Sequence, residues 1–290
     1  KLIQRHVEAA ADITVAVKPV PRSEVSGLGV AKLSEDGMIV AFAEKPADAA
    51  LVDEFALPAP TGTDPASGEP LTHTASMGIY CFRPDVLVRV VTESDATDFG
   101  KEVIPAALSE YRVAAYPFLG YWRDIGTISA FYEANLDLVA PLPQFNLFDA
   151  SWPLYTRARY LPPAKINGSR LEHALVADGA IIGCADIRRS IVGLRGIVGD
   201  NVVLEDTVTM GNDFYEEHPP AEAGVPLGIG QGCLIRGAII DKNTRIGQGC
   251  KIEGRPGCGV DMDGDGFYVR DGIVIIPRGQ VVEPGTEIAV

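Results

Sequence analysis

The sequence predicts an α/β layer followed by a parallel β-helix of hexapeptide repeats. Two observations carry that division. In the last third, one aliphatic residue recurs at every sixth position: Val192, Val198, Leu204 and Met210, then Leu234, Ile240, Ile246 and Ile252, then Ile276, Val282 and Ile288. An α-helix repeats at 3.6 residues and a strand at 2. A six-residue step fits a triangular coil whose flat sides each send one aliphatic side chain to the axis. Gly193, Gly199, Gly211 and Gly247 follow such positions and suit the tight corners. In the first 140 residues, by contrast, short strand patterns alternate with helical ones, the mark of a layered α/β sheet.

Taken in order, Lys1 to Ala10 reads as the middle of a helix running into a strand over Asp12–Val17 that alternates as a half-buried strand does. With no initiating methionine, the expectation is that a further N-terminal segment is missing. Gly29–Leu33 and Met38–Glu44 flank Ser34-Glu-Asp-Gly37, a hairpin turn signal. Residues 46–74, rich in Ala, Pro, Asp and Thr, read as a surface insertion. Met77–Phe82 reads as a strand and Pro84 opens a helix, where its missing N–H is not needed. Asp98 caps a helix carrying Lys101 to Leu108. Val113–Phe118 is a strand, and Thr127 starts a helix with Ile128, Phe131, Tyr132 and Val139 on one face. Five prolines over 140–165 mark an interdomain connection, packed by Phe145, Phe148, Trp152 and Tyr155. Tyr215–Gly224 and Gly254–Gly266 interrupt the repeat as projecting loops.

Composition narrows the function. A chain of 290 residues, 47% hydrophobic, holds two ordinary domains. Its formal net charge of −14 argues against nucleic acid and anionic membrane as partners but leaves room for an anionic small ligand in a local basic pocket. No apolar run reaches the roughly 20 residues of a membrane span. Cys81, Cys184, Cys233, Cys250 and Cys258 show no C-x-x-C spacing, so buried free thiols in a reducing compartment are expected, with Cys233 and Cys250 filling core space. His6, His73, His173 and His218 lack metal-ligand spacing. Asp261-Met-Asp-Gly-Asp-Gly266 imitates the start of a calcium loop, but Gly272 stands where a bidentate glutamate is needed, so it reads as a polar loop.

Three segments could carry chemistry. In Phe42-Ala-Glu-Lys-Pro46, Glu44 and Lys45 could grip a sugar hydroxyl and a phosphate. They face opposite sides of a regular strand, so the strand must distort at Pro46. Taken alone, the segment reads as an exposed strand end. In Ala75-Ser-Met-Gly-Ile-Tyr80, Ser76 could offer a hydroxyl at a strand entrance, or simply be a small residue there. In Tyr121-Trp-Arg-Asp-Ile-Gly-Thr127, Asp124 suits either a hard cation bound to phosphates or a turn.

These segments in this order, ahead of the repeat, resemble ADP-glucose pyrophosphorylase (glucose-1-phosphate adenylyltransferase). The similarity extends through Ala11–Thr14, Thr97-Asp-Phe-Gly-Lys-Glu-Val-Ile-Pro105 and Phe145–Tyr155. It continues through Ser190–Gly193, Met210-Gly-Asn-Asp-Phe-Tyr215 and Ile239-Ile-Asp-Lys-Asn243, the later segments being similar to the cyanobacterial and plant-like branch. The resemblance implies the C-terminal part of a Rossmann-like nucleotidyltransferase domain over 1–140, a linker over 141–165, and a left-handed parallel β-helix for regulation and oligomerisation over 166–290.

It also implies adenylyl transfer from ATP to α-D-glucose 1-phosphate, giving ADP-glucose and pyrophosphate for glycogen or starch synthesis. Gly29, Glu44, Lys45 and Ser76 would bind glucose 1-phosphate, Lys45 holding its phosphate. Asp124 would help hold catalytic Mg²⁺, and catalysis would rest on positioning and electrostatics. Lys242 and Arg278 would bind a phosphorylated metabolite effector; at 278 arginine replaces the family lysine, keeping charge but changing geometry. The family's G-G-x-G-T-R-L loop for ATP, and the aspartate that shares the metal, have no counterpart in this sequence, so the chain is expected to be an incomplete and inactive portion. A homo- or hetero-tetramer in a bacterial cytoplasm or a plastid is implied. Two other readings stay open: a non-catalytic regulatory subunit of the same enzyme, and a hexapeptide-repeat acyltransferase using His173 or His218.

Overall fold

The computed structural model describes residues 1–65, 67–93, 95–217 and 224–290. The chain divides into two compact units, Lys1–Trp122 and Arg123–Val290. The helix predicted after Thr127 therefore groups with the β-helix.

The first unit runs α1 (Leu2–Glu8), β1 (Ile13–Pro21), a short 3₁₀ turn, β2 (Gly29–Leu33), β3 (Ile39–Glu44), α2 (Ala49–Glu54), β4 (Leu71–Phe82), α3 (Pro84–Thr92), α4 (Ile104–Ala107) and β5 (Val113–Pro117). The sheet order is β3-β2-β4-β1-β5. β1 and β5 are parallel, while β4 runs against β1 and β2 against β3. A bridge between Met38 and Ala114, and Ala115 N–H donating to Gly37 O at 2.9 Å, draw the two outer strands toward each other. β1 does not alternate as the sequence suggests. Ile13 to Val17 are all buried, because a central strand meets apolar neighbours on both faces.

Two first-unit expectations need correction. Residues 46–74 are not only a surface insertion: α2, capped by Asp48 accepting from Ala50 N–H, sends Val52 and Phe55 into a cluster with Val20, Val25, Val30 and Ala75. Buried His73 closes that region, its ring within hydrogen-bond distance of Thr72 Oγ1 and Val52 O. β4 begins at Leu71, so Ser76 lies inside a strand and not at its entrance. Asp98 caps as expected, but over a wide turn, Phe99–Val103, that precedes the brief α4.

The second unit contains α5 (Ile128–Asp137), capped by Thr127 accepting from Ala130 N–H, and the β-helix. Six short strands pair in parallel on one side. Three rows of inward side chains stack from coil to coil. One is Ile166, Ile182, Val198, Ile229, Ile246 and Val282. The second is Leu171, Ile187, Leu204, Ile235, Ile252 and Ile288. The third is Val176, Val192, Thr209, Ile240 and Ile276. Most are almost fully buried, each worth about 1.5–3 kcal/mol. Cys233 and Cys250 fill this core as expected, and burial pushes the Cys233 thiol up to about 11, but Cys184 and Cys258 are exposed and Cys81 half-buried, against the expectation of buried thiols.

The rows correct two assignments. Thr209, not Met210, stacks between Val192 and Ile240, and Ile235, not Leu234, is fully buried. The cause is the corner between the second and third sides. His173, Arg189, Asp206 and Gly237 turn it in the left-handed region, with φ of 50°, 46°, 47° and 55°. A corner made by one such residue shortens the inward step to 5, as from Leu204 to Thr209 and Ile235 to Ile240, while the other steps mostly remain 6. The calcium-like segment is also not a loop. Met262–Gly264 and Phe267–Arg270 pair as an antiparallel hairpin about Asp265-Gly266. Outside the coils, Tyr132 of α5 joins Val208, Ile239 and Ile273 in a small cluster, and its hydroxyl donates to Asp206 O at 2.5 Å.

The aromatic packing expected for the connection is not found at three of its four rings: Phe148, Trp152 and Tyr155 are 81%, 69% and 93% exposed. The prolines keep this run out of helix and ladder, so no element aligns its rings against a core. No helix among the described residues is long and apolar enough to cross a membrane.

Candidate functional site

The first unit gathers Gly29, Glu44, Lys45 and Ser76 at one end of its sheet. Glu44 is the last residue of β3 and pairs in register with Gly29 on β2. Its carboxylate lies over that glycine: a Cβ at position 29 would stand 2.4 Å from Glu44 Oε2 and 2.8 Å from Phe42 Cζ. Gly100, in the turn after Asp98, approaches the same carboxylate, and a Cβ there would stand 2.5 Å from Oε2. Two glycines on separate elements thus make the space that Glu44 occupies.

The distortion required at Pro46 is present. Lys45 leaves the strand with φ of 47°, its N–H donating to Leu28 O at 3.0 Å. Its charge then acts on both Glu44 and Asp98. Ser76 and Tyr80, four residues apart on β4, flank a bulge. Val15 pairs with Tyr80 and Val17 with Ser76, so Met77, Gly78 and Ile79 all stand opposite Ala16. Gly78 N–H donates to Ser76 Oγ at 3.2 Å within that bulge. The Tyr80 phenol feels the Ser76 hydroxyl and the charges of Glu44 and Asp98, while its ring stacks on Phe99 with centroids 5.9 Å apart.

The electrostatics are mixed. Burial holds the Glu44 carboxyl above its ordinary range and Asp98 adds to this, while Lys45 and Lys101 oppose it. Asp98 is held low, chiefly by N–H donation from Lys101 and also from Gly100, at 2.9 and 2.8 Å. Burial raises the Tyr80 phenol. Carboxylates, hydroxyls and lysines in one place suit a polyol that carries an anionic group: carboxylates accept from hydroxyls, and ammonium groups hold phosphate. The sequence reading missed Tyr80, Asp98 as more than a cap, Gly100 and Lys101. The even spacing of Ser76 and Tyr80 on a strand, which places both on one face, was the available signal for Tyr80.

Asp124 falls in the second unit, exposed, with Oδ2 accepting from Gly126 N–H at 3.3 Å. That turn leaves its other oxygen available. A single carboxylate fits Mg²⁺ as one ligand among phosphates and waters. Among the described residues, no group of three or more His, Cys, Asp or Glu could hold a metal by itself. His173 is a coil corner, and His218 lies outside the described residues.

A second grouping lies on the β-helix. Lys242 Nζ and Arg278 Nη2 both contact the Asp213 carboxylate, at 2.9 and 2.5 Å. Asn243 Nδ2 donates to the same carboxylate at 3.0 Å. The two basic residues read from sequence thus meet, on an acid the sequence reading did not single out as functional.

Two family models match the chain. Residues 1–140 match the model described as nucleotidyl transferase, and residues 159–287 match that of the GLGC left-handed parallel β-helix domain.

Proposed function

We propose, for a chain that joins a nucleotidyl transferase domain to a GLGC left-handed β-helix domain and so fits the ADP-glucose pyrophosphorylase family, that the first unit binds α-D-glucose 1-phosphate for adenylyl transfer from ATP. The products are ADP-glucose and pyrophosphate, serving glycogen or starch synthesis. The observation that carries this reading is the Glu44 carboxylate lying between Gly29 and Gly100, with Lys45 turned out of the strand beside it.

In this reading Glu44 accepts hydrogen bonds from glucose hydroxyls and Lys45 holds the phosphate. Ser76 contacts the sugar. The phosphate oxygen of the sugar attacks the α-phosphorus of ATP and pyrophosphate leaves. Two polyanions must be brought together, so fixed cations stabilise both their approach and the transition state. Asp124 would hold Mg²⁺, which when bound offsets phosphate charge. The 290 residues contain no G-G-x-G-T-R-L run, so we expect this chain alone to bind the sugar phosphate without turning over. On the β-helix, Lys242 and Arg278 bind a phosphorylated metabolite effector, in a homo- or hetero-tetramer.

Calorimetric titration with glucose 1-phosphate tests the site. Binding should be weakened about 10- to 100-fold by Lys45→Ala, the loss of one charge-assisted contact. Equal binding by wild type and variant would overturn the assignment. Adding ATP and Mg²⁺ and measuring pyrophosphate tests the rest: brisk turnover by the chain itself would remove the expectation of inactivity.

A further inference from the structure

Lys242 and Arg278 occupy equivalent places on successive coils. Each stands two residues after a stacked ladder residue, Ile240 or Ile276, and these two are partners in register. Gly279 N–H donates to Lys242 O at 2.9 Å, which ties the two corners together. Neighbouring strands lie about 4.8 Å apart, so two cations projected from such corners repel unless an anion joins them.

Asp213 is that anion, and it comes from a third coil. The chain leaves the ladder at Thr209, which is in register with Ile240. Asp213 is then fixed by its backbone. Its N–H donates to Asn243 Oδ1 at 2.8 Å, and Asn243 Nδ2 returns a bond to Asp213 Oδ2 at 3.0 Å. The preceding Asn212, 4% exposed, donates from Nδ2 to Arg195 O at 2.8 Å. Gly211, with φ of 75°, lets the chain pass so close to the preceding coil that a Cβ would stand 2.1 Å from Leu194 O. Held this way, the carboxylate offers one oxygen to the lysine and the other to the arginine. A phosphate presents a like pair of oxygens with a larger negative charge. The site is open: the Asp213, Lys242 and Arg278 side chains are 37%, 33% and 63% exposed.

We infer that Asp213 is a tethered counter-ion, an internal competitor that a phosphorylated effector must displace from Lys242 and Arg278. The inference rests on the effector reading of those two residues and adds what sets its threshold. The carboxylate keeps the cation pair from repelling when no effector is present. It also lowers the apparent affinity by the fraction of molecules in which it occupies the cations. Weak phosphorylated anions are thereby excluded, and one able to grip both cations is admitted.

The test is calorimetric titration of the full chain with inorganic phosphate, comparing wild type, Asp213→Asn, Lys242→Ala and the double variant. Asp213→Asn should bind phosphate roughly tenfold more tightly, equivalent to about 1.4 kcal/mol. Lys242→Ala should weaken binding in both backgrounds and cancel that gain. Asp213→Ser, whose side chain is too short to reach the cations, should show the same gain and guards against an amide that still engages Arg278. If Lys242→Ala changes nothing in either background, the effector reading falls and the inference with it. If Lys242→Ala weakens binding but neither Asp213 variant binds more tightly than wild type, the inference alone is overturned. Failure of the Asp213 variants to bind phosphate at all overturns it too.

Discussion

Replacing Gly100 with alanine should disable the proposed sugar-phosphate site while leaving the fold intact. An alanine Cβ at this position would stand 2.5 Å from Glu44 Oε2 and 2.8 Å from its Cδ, where ordinary contact begins near 3.4 Å. The carboxylate must therefore retreat by about 0.9 Å, the difference between 3.4 and 2.5 Å. The atoms it meets are the far end of a flexible side chain, so the backbone need not move. The residue has no left-handed φ to penalise alanine. Stability should change by less than about 1 kcal/mol. Function is more sensitive, because a misplacement of about 1 Å can reduce a positioned interaction by up to about a hundredfold. Glucose 1-phosphate binding, followed by calorimetry, should weaken about 10- to 100-fold in Gly100→Ala with little change in thermal midpoint. In a Glu44→Ala background the same substitution should add nothing further. If Gly100→Ala binds like wild type, or weakens binding equally with and without Glu44, the two glycines do not set the position of that carboxylate.

Three other outcomes follow from the same geometry. Because burial raises the folded-state value of Glu44, its contribution to stability is fully present below the ordinary value of 4.5 and is lost as pH rises through the folded value; Glu44→Gln should therefore unfold at the same or a higher temperature than wild type at pH 7 and lose that advantage toward pH 4, as read by scanning calorimetry. Ile235→Ala should cost about 2–5 kcal/mol in urea unfolding and Leu234→Ala less than half as much, since only Ile235 is fully buried; equal costs would contradict the inward row. Tyr132→Phe should cost about 1 kcal/mol, because Asp206 O loses its donor, and an unchanged urea midpoint would mean that water replaces it.

The repeat, the hairpin at Ser34–Gly37 and the caps at Asp98 and Thr127 were legible because each is a local pattern of period, turn residue or cap. The hexad count slipped by one residue at Met210 and Leu234. A left-handed corner consumes one position fewer, and Arg189 and Asp206 carry no sequence mark of that conformation. The hairpin at Met262–Arg270 was hidden beneath an acidic run that imitates a metal loop, although its Asp265-Gly266 turn was present. At the site, Glu44-Lys45-Pro46 was visible as chemistry, and its need for a distorted strand could be stated from strand geometry. Gly100 and Tyr80 could not be tied to Glu44 from the chain alone, since they lie 56 and 36 residues away and meet it only in the folded unit.

The sequence by itself determined that this protein joins an α/β unit to a parallel β-helix, because hydrophobic period is a property of neighbours in the chain. It also supplied the residue types, acid, lysine and serine, on which the proposed sugar-phosphate site rests. Tertiary structure alone decided which groups meet. Glu44 lies between two glycines from separate elements, and Lys242 and Arg278 share a carboxylate 29 and 65 residues distant. Stacking of coils fixes those pairings, and stacking depends on register along the whole array, which no local window of sequence contains.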